Sequence, residues 1–175
     1  LDNKKHKRIN VCAYLVNGGI CTGQLRYPAG QRFSFTCRQE NPFVPLYNAS
    51  RLRLEKALLY SLDGGGSFES IDIDIDNILF IKPLEHLRGP RPLKKYGRVK
   101  LAVPGYTLVG SIQHSKNGYW KENLDAFPKL LILVKAFITI NGSRIRQKAS
   151  YVIINKKHII VAKEYGNSSS IQYCS

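Results

Sequence analysis

The sequence predicts an α+β domain, with one helix packed on an antiparallel sheet and tied by disulfides. Three observations predict it. Residues 48–62, NASRLRLEKALLYSL, carry Leu52, Leu54, Ala57, Leu58 and Ser61 at three-to-four spacing, the period of a helix with one apolar face. Residues on both sides alternate or run apolar in the manner of strands joined by tight turns. Four cysteines, an even number, suggest two bridges and a secretory origin.

The N-terminal residues 1–8, LDNKKHKR, are polar and basic and read as a flexible tail. Residues 9–37 read as hairpin strands, punctuated by Asn17-Gly18-Gly19 and by Pro28-Ala29-Gly30. In the helix that follows, Asn48 or Ser50 is the cap, and Asp63-Gly64-Gly65-Gly66 is the stop. Residues 68–81 alternate Ile71, Ile73 and Ile75 against Asp72, Asp74 and Asp76, which is strand logic with one dry and one acidic face. Three aligned carboxylates can hold a hard cation, but on one strand they point in parallel at ~6–7 Å spacing and do not converge. A solvated acidic face that offsets nearby lysines is the reading preferred for Ile71–Asp76, and no metal or cofactor is expected.

Residues 82–100 read as a long basic loop, with Lys94, Lys95, Arg98 and Lys100 around Tyr96. Cations that meet phosphates beside a ring that stacks on a base are what single-stranded RNA binding needs. Residues 98–113 and 129–141 read as strands, and Leu130 to Ile140 as a buried one. A second basic cluster comprises Arg144, Arg146, Lys148, Lys156 and Lys157. No internal repeat and no second domain emerge, so residues 9–175 are expected to form a single domain.

The formal charge of +15 favours an anionic partner: RNA, an acidic protein surface or a headgroup layer. No apolar run approaches the ~18–20 residues of a membrane span. The cysteines are separated by 8, 15 and 136 residues, with no tight Cys/His cluster, so zinc is not expected. Three sequons, at Asn48, Asn141 and Asn167, agree with secretion. The chain starts at Leu1 and contains no Met, which reads as a mature or trimmed form.

Two segments carry a family likeness. Phe35-Thr36-Cys37 is an aromatic-x-Cys, followed by Pro42-Phe43 and the expected helix. Tyr151 to Ser175 runs strand, turn, strand, polar loop and a penultimate Cys174. Together these resemble the fungal guanyl-specific ribonucleases of the T1/F1 type, and most of all the ribonuclease-like secreted effectors of powdery mildew fungi. The resemblance implies a Cys37–Cys174 bridge, leaving Cys12 with Cys21. Such a long bridge closes ~137 residues and is worth ~4–5 kcal/mol by loop entropy. Cys12–Cys174 with Cys21–Cys37 is the rival pairing.

The resemblance also implies a catalytic Glu, Arg and His. Here Ala126, Tyr151 and Lys163 stand at those three positions, and a lysine of ordinary pKa ~10.4 is a poor acid at neutral pH. Asp125 neighbours the first position but alternates to the other face. The expectation is therefore a monomeric, secreted effector without nuclease chemistry. It would bind host RNA or a host protein, enter host cells and be open to recognition by a plant immune receptor. The RNA or anion contacts expected are Lys94, Lys95, Tyr96, Arg98, Lys100, Arg144, Arg146, Lys148, Lys156, Lys157 and Lys163. The alternatives are an active ribonuclease with a relocated site, using His86, His114 or His158, and a cationic interaction protein of unrelated β-rich fold.

Overall fold

The computed structural model describes residues 6–29, 46, 48–85, 96–113, 129–165 and 170–172. Its contacts divide the chain into two compact units, Leu1–Pro90 and Arg91–Ser175, where one domain was expected. The first unit holds β1 (His6–Leu15), β2 (Ile20–Pro28), β3 (Arg51–Tyr60), β4 (Gly66–Asp74) and β5 (Ile78–Pro83). These strands lie in the order β5-β1-β2-β3-β4, all pairs antiparallel. The second unit holds β6 (Tyr96–Val103), β7 (Tyr106–Gln113), β8 (Leu130–Ile140), β9 (Arg146–Asn155), β10 (Val161–Glu164) and β11 (Ser170–Gln172). Their order is β11-β10-β6-β7-β8-β9, again antiparallel. In the first unit β4 and β5 sit at opposite ends of the order, yet only a 3-10 turn at Ile75–Asn77 joins them. The sheet must therefore curl until its ends approach.

The expected helix is a strand: Arg51–Tyr60 is β3 throughout. The error has a physical origin. Leu52, Leu54 and Ala57 are fully buried, while Lys56 is exposed with φ +48°. Lys56 is the extra residue of a β-bulge, and the pairing with β2 slips there, between Thr22 and Gln24. The inward positions thus fall at two-then-three spacing, which imitates the apolar face of a helix. No α-helix occurs among the described residues, and none there is long and apolar enough to cross a membrane.

The second unit repeats the device. Leu131, Leu133, Ala136 and Ile138 are buried, Lys135 is exposed at φ +50°, and the β7–β8 register slips between Val109 and Ser111. The correspondence runs through the whole unit. Gln24 opposes Glu55 as Ser111 opposes Val134, and Leu54 opposes Ile71 as Leu133 opposes Val152. Ala13 opposes Ile81 as Leu101 opposes Ala162. The Ile75 N–H donates to Ser50 O at 2.9 Å, as the Lys156 N–H donates to Lys129 O at 2.9 Å. Asp74 Oδ1 accepts from the Asp76 N–H (2.9 Å) and Asn155 Oδ1 from the Lys157 N–H (3.1 Å), so both units turn into the next strand on the same side-chain cap. The chain is an internal duplication, contrary to the expectation of no repeat.

Other expectations divide. Gly18 at φ +81° and an Asn17 Oδ1 that accepts from the Gly19 N–H (3.0 Å) make the predicted hairpin turn. The acidic stripe lies on β4 as far as Asp74, with Ile73 buried and Asp72 exposed. His6–Arg8 belong to β1 rather than to a tail, and Lys82 and Tyr96–Lys100 belong to β5 and β6 rather than to the basic loop. The bridge from Cys12 to Cys21 is absent: both are buried free thiols. Cys21 opposes Ala13 and Cys12 opposes Thr22, so the two side chains leave opposite faces of the β1–β2 hairpin. Cys37 and Cys174 lie outside the described residues.

Each bulge is accommodated by a glycine on the neighbouring strand. A Cβ on Gly110 would stand 2.6 Å from Leu133 Cγ and 2.9 Å from Val134 O, and one on Gly23 3.0 Å from Leu54 Cβ and 3.1 Å from Glu55 O. Gly110→Ala is expected to cost ~1–3 kcal/mol by overpacking, and Gly23→Ala less. Lys56→Gly and Lys135→Gly are expected to raise stability by ~0.5–1 kcal/mol, since a non-glycine residue is strained at positive φ. Urea denaturation of the four variants checks both signs.

Candidate nucleic-acid interface

In an antiparallel sheet, directly opposed residues project from the same face. Lys163 opposes Lys100, Lys100 opposes Val109, Val109 opposes Phe137, and Phe137 opposes Lys148. This row crosses five strands, β10-β6-β7-β8-β9, a span of roughly 19 Å at the usual strand spacing. The next row on the same face runs Val161, Ala102, Thr107, Thr139, Arg146. Arg98, two residues before Lys100 on β6, shares the face. One side of the second unit therefore presents Arg98, Lys100, Arg146, Lys148 and Lys163.

Two rings sit among these cations. The Arg98 guanidinium lies 4.7 Å from the centroid of Tyr165, whose backbone N–H donates to Arg98 O at 2.8 Å. Arg146 and Lys148 hold their cationic groups 5.4 and 5.8 Å from the ring of Phe137. Such contacts are worth ~0.5–1 kcal/mol at exposed sites. Tyr165 is 48% exposed, so it remains partly accessible beside Arg98.

Charge is distributed accordingly. Residues 91–175 hold fifteen Lys and Arg against three Asp and Glu, whereas residues 1–90 hold twelve against nine. Of the +15, +12 thus belongs to the second unit and +3 to the first.

Of the residues expected to contact RNA, Arg98, Lys100, Arg146, Lys148 and Lys163 meet on this face. Arg144 is exposed in the turn before β9. Lys156 and Lys157 lie in the 3-10 turn at the far end of β9 and do not join the cluster. Tyr96 begins β6, while Lys94 and Lys95 lie outside the described residues. The three positions compared with catalytic residues do not form a set. Tyr151 is fully buried opposite Val134, Lys163 is half-buried opposite Lys100, and Ala126 lies outside the described residues. Asp125, His86 and His114 are likewise outside them, and His158 is half-buried in the turn after β9.

Sequence reasoning passed over Phe137 and Tyr165. Counted by strict alternation from Leu131 and Leu133, Phe137 points into the core; the bulge at Lys135 reverses the parity and brings it out. Among the described residues no group of His, Cys, Asp and Glu is placed to hold a metal ion. The acidic stripe is engaged otherwise: Asp72 Oδ2 lies 3.9 Å from Arg53, and Asp74 caps the turn. No family model, curated protein or solved structure matches the chain.

The two thiols are chemically quiet. Burial pushes the Cys21 thiol up to about 11, with the nearby Cys12 adding to it, and burial likewise raises Cys12. A group whose folded pKa is raised stabilises the fold below its unfolded pKa and loses that contribution as pH rises to the folded value. Stability is therefore expected to fall between about pH 9 and pH 11. A thiol reagent at pH 8 is expected to label neither cysteine until denaturant is added, and peptide mapping to find no Cys12–Cys21 bridge.

Proposed function

We propose that the protein works by binding, and that the face carrying Arg98, Lys100, Arg146, Lys148 and Lys163 holds single-stranded RNA. The observation that supports this is the interleaving of five cations with Phe137 and Tyr165 on one side of one sheet. Cations alone suit any polyanion. Rings among them favour a ligand with flat bases, because stacking on an aromatic side chain adds to phosphate contact and tolerates any sequence.

The setting is the one the resemblance implies: a secreted fungal effector acting on host RNA and open to recognition by a plant immune receptor. Its support is the three sequons and the C-terminal segment. The cysteine argument for secretion no longer includes Cys12 and Cys21, which are free. The nuclease scaffold forms no part of the proposal, because its helix is strand β3. The β-rich architecture and the basic face suit a binding protein rather than an α+β nuclease.

Fluorescence anisotropy with a labelled single-stranded RNA tests the proposal. Five phosphate contacts give a log–log salt slope of about −3.5, hence about a hundred-fold loss of affinity between ~50 and 200 mM salt. Lys100→Glu with Lys148→Glu is expected to flatten that slope. Tyr165→Ala is expected to weaken binding by ~1–3 kcal/mol per base stacked and to leave the slope unchanged. An acidic peptide of equal charge that binds more tightly than the RNA would assign the face to a protein partner instead.

A further inference from the structure

We infer that the first unit carries a separate anion site, an arginine-lined groove that takes a small phosphate-bearing ligand. The outer face of β1, β2 and β3 gathers Arg8, Arg26, Arg51 and Arg53. Arg8 directly opposes Arg26 across β1 and β2, and Arg51 and Arg53 oppose Asp74 and Asp72 across β3 and β4. Arg26, Arg51, Arg53 and His6 line a concavity of about 610 Å³ with Glu55 at one wall and the buried Leu46 among its apolar lining. That volume falls in the range of small-molecule sites of ~300–1,000 Å³.

The carboxylates at this groove are engaged. Glu55 Oε2 accepts from Arg8 Nε at 3.0 Å, and Asp74 Oδ1 accepts from the Asp76 backbone. Arg53 is steadied from one side by Asp72 (3.9 Å) and by Ser70 Oγ, to which it donates at 3.3 Å. Among the described residues no ion pair engages Arg26 or Arg51 at the wall, and the guanidinium fork matches the oxygens of a phosphate in bidentate fashion.

The internal duplication supplies an independent control. At the positions equivalent to Arg51, Arg53 and Glu55, the second unit carries Leu130, Ile132 and Val134, in the same register and around the same bulge. There Leu130 and Val134 are buried, whereas Arg51 and Arg53 are exposed, so the charge goes with an open face of the first unit. In the first unit three arginines and a histidine rim one concave space, where a merely solvated face would be flat.

The test is calorimetric titration of the full chain with pyrophosphate, inorganic phosphate and adenosine monophosphate. The variant is Arg51→Leu with Arg53→Ile, which copies the residues the second unit folds with. Saturable binding of pyrophosphate is expected, weakened ten-fold or more in the variant, while its affinity for single-stranded RNA is unchanged. Adenosine monophosphate binding tighter than phosphate would assign part of the affinity to the apolar lining; equal affinities would assign it all to the arginines. Arg26→Ala provides a second, single-site reduction. No saturable binding of any of the three ligands, equal displacement by chloride, or affinity unchanged in both variants would overturn the inference. RNA binding by Lys100 and Lys148 is read separately, so either site can fail without the other.

Discussion

The structure depends on one close approach, a glycine on one strand lying against a bulge on the next. Gly23 faces the Leu54–Ala57 turn of β3, and Gly110 faces Leu133–Val134 of β8. With no side chain on the glycine, the neighbouring strand can take in one extra residue, Lys56 or Lys135, at positive φ. That residue reverses which side of the strand faces inward. Before the bulge Leu52, Leu54, Leu131 and Leu133 are inside; after it Ala57, Ala136 and Ile138 are. Strong local twist accompanies a bulge, and it allows a five-stranded order whose ends are joined by a single 3-10 turn to curl.

The same reversal decides what each unit presents outward. In the second unit it turns Phe137 out beside Arg146 and Lys148. In the first it separates Arg51, Arg53 and Glu55, which lie before the bulge, from the partly exposed Leu58 beyond it. Two copies of one architecture have diverged in complementary ways. The first has a charged region where the second is apolar, and the second is basic at Lys100 and Lys148, where the first has Cys12 and Ser67. A duplicated scaffold lets one copy change its surface without changing its core.

How much of this was legible in the sequence follows from the same residues. Signals local to a few positions were read correctly: the Asn17-Gly18 hairpin, the alternation Ile71–Asp74 and the strand Tyr151–Asn155 with its turn at Lys156-Lys157, whereas the strand expected at His158–Ala162 begins only at Val161. The cations of β6, β9 and β10 could be named because their chemistry is independent of which face they occupy. Whatever required parity across a bulge was not legible. Two-then-three spacing turned β3 into a helix and hid Phe137 in the core. The arginine groove escaped because Arg8, Arg26, Arg51 and Arg53 come together only through pairing in register. The duplication survives as little more than Leu-Arg-Leu-Glu-Lys-Ala against Leu-Ile-Leu-Val-Lys-Ala, too short to be seen before the registers are compared.

A chain built of two like halves faces a choice while it folds, because each strand has a second strand of matching register available to it. Misassembly of this kind is a characteristic hazard of repeat proteins. The residues that differ between β3 and β8 disfavour the exchange. In the native pairs Arg53 opposes Asp72 and Ile132 opposes Ile153. Were β8 to pair with β4, Ile132 would stand against the Asp72 carboxylate; were β3 to pair with β9, Arg53 would stand against the wholly apolar, buried site of Ile153. Each exchange strands a charge and wets an apolar surface at once. The arginine–aspartate pair is exposed and contributes little to the finished fold, yet it identifies which half a strand belongs to.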